Sequence, residues 1–151
     1  MTHLPGPIHS AQRLGYGLGL ALCLGTPGLI AGLILARVVP AGNQAPEGVF
    51  QQLGYLFSGL VFLSAAWVWW RSGRLLRGFR AVPEALRPGV VLRESLVYAA
   101  AFEASSLCGL AYWALVGVHA ARHAWGFVLL TPLLFLVLVP RADRWKKALE
   151  P

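Results

Sequence analysis

Glu103 is the residue whose type and setting most clearly allow chemistry. It stands in AFEASSLCGL, residues 101–110, inside a run from Ser95 to Val118 that carries no other charge. A lone carboxyl in such a run can carry a proton or a cation. It can also hold two helices together as a neutral acid bonded to hydroxyls, or pair with a cation on another subunit. Counted from Glu94 at about 1.5 Å per residue, it lies roughly 13 to 14 Å along a helix, near the middle of a ~30 Å hydrocarbon core. An ionised acid is costly there, so Glu103 is expected to face protein. Thr26, Ser58 and Thr131 fall at similar depth on three other apolar stretches and are its candidate partners, whereas no lysine or arginine reaches that depth.

Two further constellations are weaker. His119 and His123 are spaced i, i+4 and can share a helical face, a spacing used for metal or haem ligation. They fall at a turn beside Arg122 with no carboxylate or thiolate nearby in sequence, so interfacial histidines are the better reading. Glu94 and Glu103 are about 180° apart on one helix and cannot act as a pair. There is no nucleophile–base pair and no glycine-rich phosphate loop. No catalysis and no cofactor are therefore expected.

The elements that position these residues are apolar helices. Of 151 residues 57% are hydrophobic and 13% charged, about half the roughly 25% charge of a soluble domain. Mean hydropathy is +0.62. Four stretches have the length and composition of spans, predicting helices over about 14–38, 50–71, 94–118 and 120–140 of a single domain covering 1–151. The first run is longer than the about 7 to 15 residues of a signal-peptide core, so a retained helix is expected. Pro27 and Pro132 should bend the first and fourth helices. Cys23 and Cys108 fall in apolar interiors and read as small packing residues.

Charge sets the expected orientation. Arg13, the six arginines from Arg71 to Arg93, and Arg141, Arg144, Lys146 and Lys147 lie on one side, against Arg37 and Arg122 on the other. Short-loop Lys/Arg bias marks the cytoplasmic side. Both termini and a basic loop over 71–93 are thus expected to be cytoplasmic, in a plasma or inner membrane. In that loop Leu75, Leu76 and Phe79 oppose Arg71, Arg74, Arg77 and Arg80, the pattern of an interfacial helix on an anionic leaflet. Trp69, Trp70 and Trp145 are expected at the same headgroup level. No nucleic-acid-binding module surrounds the patch, so nucleic acid is not an expected partner.

Packing signals concentrate in the first helix. Ala21 and Gly25 form one small-xxx-small pair, and Gly28, Gly32 and Ala36 continue another. Such grooves allow close helix approach, either within the bundle or to a partner subunit.

Arg80, Pro83 and Glu84, followed by Glu103 in Phe-Glu-Ala and then Gly109-Leu110, resemble the hairpin of rotary ATP synthase proteolipids. The resemblance spans about 30 residues and implies an ion-carrying role for Glu103. The chain departs from that family in its bulky Trp67, Trp69 and Trp70, and in having no acid in the fourth helix.

The combined expectation is an all-α, polytopic integral membrane protein: a four-transmembrane-helix bundle with both ends cytoplasmic. Its leading role is a small subunit that packs into or stabilises a larger membrane complex. Proton or cation handling at Glu103 is the alternative, followed by lipid or small-molecule binding in the bundle.

Overall fold

A computed structural model describes residues 6–42 and 47–150. Among these residues five helices follow one another: α1 (Gly6–Leu35), α2 (Glu47–Gly78), α3 (Arg87–Val116), α4 (Ala121–Leu138) and the short α5 (Ala142–Lys147). Single 3-10 turns at Phe79–Ala81, Glu84–Leu86 and Val118–Ala120 join them, and no strand occurs among the described residues. Among the described residues, four helical segments are long and apolar enough to cross a membrane.

Helix ends differ from the apolar runs for physical reasons. α1 starts at Gly6, with Pro7 in its first turn, where the missing amide hydrogen costs nothing. α2 continues through the arginines to Gly78, because Arg and Leu favour helix as well as lipid-facing residues do. Residues 71–78 are thus the last turns of α2, not a separate surface helix. Pro27 and Pro132 both lie inside continuous helices.

α3 is the central element, packed on α1, α4 and α2, while α1 also packs on α4. In the most apolar window of α3, 44% of residues are buried, against 11% for α2, which leans on the outside of the bundle. The chain runs up and down, so two ends can be distinguished. At the basic end Ile8, Phe79, Val91 and Trp145 form one cluster; at the other Tyr112, Val116, Ala120 and Ala124 form another. Between them Cys23, Val68, Tyr98, Ala99, Phe102, Phe135 and Val139 make the main core.

At Gly19, Gly42, Gly109 and Gly117 an added Cβ would clash with neighbouring atoms, and two of these positions shape the bundle most directly. A Cβ on Gly19 would lie 2.6 Å from the Phe135 ring, so only glycine admits that ring against α1. Gly117 has φ 83 and ends α3 with its N–H donated to the Trp113 carbonyl at 2.9 Å. The loop after α1 is tied to the same turn: Gly42 N–H donates to the Trp113 carbonyl at 3.2 Å, and Trp113 Nε1 donates to Val39 at 3.3 Å.

The outside of the bundle is largely apolar, and its apolar core encloses a few polar groups. Leu29, Tyr55, Phe62, Leu63 and Trp69 are well exposed on the outside, whereas Glu94, Ser95, Ser105, Ser106 and Thr131 are buried within. A large apolar exterior, with polar groups kept inside, suits lipid as surrounding medium.

Candidate functional site: the polar line along α3

α3 carries three polar centres into the bundle. The first is Glu94, one turn into the buried part of the helix and 2% exposed. Arg71 from α2 grips it as a fork: Nε donates to Oε2 at 2.7 Å and one terminal nitrogen to Oε1 at 2.8 Å. Arg93 adds a longer bond to Oε1 at 3.3 Å. The Arg71 guanidinium also lies over Trp67, 5.2 Å from its ring centroid. Planar fork recognition of this kind fixes geometry as well as charge. One turn on, the buried Tyr98 hydroxyl faces this pair without closing a hydrogen bond of good geometry.

The second centre is Glu103, nine residues beyond Glu94, or ~13 Å along the helix. Both carboxyl oxygens are enclosed and lack a hydrogen-bond partner among the described residues. The polar side chains facing them are Thr26 and Cys23, which share one face of α1. The Cys23 thiol itself points to the Ala99 carbonyl at 3.7 Å. Enclosure without a closed hydrogen bond is an expensive setting for a carboxylate.

The third centre joins α3 to α4. Thr131 donates to the Phe102 carbonyl at 3.2 Å and lies 2.7 Å from Ser106 Oγ, which is therefore the donor between them. Ser105 donates to the Phe127 carbonyl at 2.7 Å.

Of the four residues expected to meet, Glu103 and Thr26 are brought together. Thr131 is instead engaged by Ser106 and the backbone. Ser58 faces outward, in a cleft of about 330 Å³ lined by Phe50, Gln51, Tyr112 and His123. His123 packs edge-on against Phe50 and Tyr112 at 5.8 and 6.2 Å between centroids. Among the described residues no group of three or more His, Cys, Asp or Glu side chains is placed to hold a metal ion, and His119 and His123 have no third such donor beside them.

The small-residue stripe of α1 turns outward. Ala21, Gly25, Gly28, Gly32 and Ala36 are all exposed, and a Cβ on any of those three glycines would meet nothing within 4 Å. Close approach inside the bundle is made by Gly15 and Gly19, because their face also presents Cys23 and Pro27 to α3 and α4.

At the basic end Trp69 and Trp70 are exposed, and Arg74 lies over Trp70 at 5.5 Å. Arg77 donates to the Gly73 carbonyl, and the Arg80 carbonyl accepts a bond from Arg87. Trp145, expected at the headgroup level, does not present its ring to the outside. It is 1% exposed, stacked edge-on with Phe79 at 4.8 Å, with Nε1 donating to the Pro140 carbonyl at 3.2 Å. Leu75, Leu76 and Phe79, expected to lie on lipid, instead pack in the cluster that holds Trp145.

The fold and site define a class: an all-helical bundle of four span-length apolar helices around a line of buried polar groups. Comparison with protein-family models, curated proteins and solved structures finds no match.

Proposed function

We propose that this chain is a small integral membrane subunit that packs into or stabilises a larger membrane complex, without catalysis of its own. Its basic end and both termini face the cytoplasm, in a plasma or inner membrane, where the excess of Lys and Arg belongs. One observation carries the reading. The Ala21–Ala36 stripe is a close-packing groove on the outside of a bundle that already has its own close contacts at Gly15 and Gly19. In lipid, helices associate through such grooves, and a partner helix is the natural occupant. The native mass of the protein extracted in mild detergent from its own membrane tests this. A heteromeric particle that Gly28→Leu dissociates supports it, and a lone monomer overturns it.

A second reading is supported by the enclosed, unpartnered Glu103 carboxyl facing Thr26 and Cys23. In it, Glu103 takes up and releases a proton or cation during transport. Dye-detected flux in proteoliposomes is the test. Wild-type flux that Glu103→Gln abolishes in a folded protein supports transport, and no wild-type flux ends it.

A further inference from the structure

One face of α2 reads Phe62, Ala66, Trp69, Gly73 and Arg77, spaced by three and four residues so that all lie within one narrow arc of the helix. Passing toward the basic end, that face goes from exposed phenyl ring, through an exposed indole, to a gap and then a guanidinium. Phe62 is 72% and Trp69 68% exposed, and a Cβ on Gly73 would meet nothing within 4 Å. The order apolar, amphipathic, vacant, cationic matches the profile of a phospholipid from acyl chain to phosphate.

The gap at Gly73 opens into a cleft of about 470 Å³, lined by Trp69, Trp70, Gly73, Leu76, Arg77 and a residue from the far end of the chain, Arg144. Arg144 is brought there by its neighbour. Trp145, buried against Phe79 and bonded to the Pro140 carbonyl, folds α5 onto the end of α2. Arg77 uses Nε on the Gly73 carbonyl at 3.2 Å. Neither arginine forms an ion pair among the described residues. The adjacent cleft, of about 390 Å³, differs in holding Glu94, which already neutralises Arg71. Two cations and no carboxylate line the first cleft; in the second, Glu94 offsets one of the two arginines, Arg71 and Arg74.

We infer that the Arg77–Arg144 cleft binds the phosphate of an anionic phospholipid, with its acyl chains laid along Phe62 and Trp69 on the outside of α2. The inference rests on the reading that the basic end lies at an anionic leaflet. Two guanidiniums favour a phosphodiester, and they repel a headgroup that carries its own cation.

Native mass spectrometry of the detergent-solubilised protein, titrated with phosphatidylglycerol or phosphatidylcholine, tests it. Wild type retains phosphatidylglycerol about tenfold more strongly. Arg77→Gln/Arg144→Gln abolishes the preference, and Gly73→Leu weakens retention with every charge in place by filling the cleft. Arg80→Gln/Lys147→Gln, removing equal charge from the same end but outside the cleft, keeps it. Equal retention of both lipids overturns the proposal, as does an equal loss in the Arg80/Lys147 variant, which would mean diffuse attraction. Displacement of the lipid by inorganic phosphate overturns it in favour of a soluble anion. Alkaline extraction of membranes is run in parallel, so that a failure of membrane insertion itself is recognised separately.

Discussion

Arg71 and Glu94 meet across the α2–α3 hairpin as a two-pronged fork, at 2.7 and 2.8 Å, with the carboxylate 2% exposed and the guanidinium partly open. α2 has little else buried, chiefly Val61, Val68 and Ser72. The fork is therefore a principal polar tie of α2 to the rest of the bundle. Removing one partner of a buried pair leaves the other charge enclosed, at a cost of about 3 kcal/mol or more, whereas replacing both with apolar residues is often near neutral. Arg71→Gln should lower the thermal midpoint in detergent markedly. Arg71→Met/Glu94→Leu should recover most of the loss. A single variant as stable as wild type would show that the fork contributes orientation alone.

The two glycine faces of α1 should respond oppositely. Gly19→Leu drives a side chain into the Phe135 ring, and overpacking of this kind costs about 1–3 kcal/mol. Gly28→Leu projects into open space and should leave the melting of the isolated protein unchanged. Circular dichroism melts of the two variants side by side decide it. A destabilised Gly28→Leu monomer would mean the outward face is covered by the chain itself.

The four apolar helices were legible because uncharged runs of span length have one common physical outcome. Their ends were not, since hydropathy is blind to helix that continues through arginine, as from Arg71 to Gly78. Both glycine patterns in α1 satisfy small-xxx-small spacing equally. What selects Gly19 for the interior is Phe135, more than a hundred residues away in the chain, and what selects Gly15 is Leu92 and Ser95 of α3. Thr26 could be placed near Glu103 by depth alone, and Cys23, one turn before it, was available by the same reasoning. The Arg71–Glu94 fork was hidden because a hairpin closes it over 23 residues. The readable signal was a first arginine and a first glutamate at the same end of adjacent helices.

Among the hydroxyls at similar depth, Thr131 should matter and Ser58 should not. Thr131→Val strips a donor from the Phe102 carbonyl and the acceptor from Ser106, both buried. The expected loss is about 1–2 kcal/mol. Ser58→Ala, in an open cleft, should fall within about 0.5 kcal/mol of wild type. Paired denaturation curves check this, and equal effects would imply that Ser58 has a partner in the native membrane.

Trp145 is the keystone of the basic end, although it lies past the last span-length apolar run. Its ring meets Phe79 beyond α2 and clusters with Ile8 of α1 and Val91 of α3, so one side chain gathers the ends of three helices. Trp145→Ala should cost about 3–5 kcal/mol, as for other buried aromatics cut to alanine. Trp145→Phe keeps a ring but loses the bond to the Pro140 carbonyl, a loss of about 1 kcal/mol. Trp69→Ala, at an exposed site, should change stability by no more than about 0.5 kcal/mol. The readout is amide hydrogen exchange of α5 together with the global melt. Release of α5 without a change in the melt would confine the role of Trp145 to positioning Arg144. Loss of both would make the cluster part of the folding core.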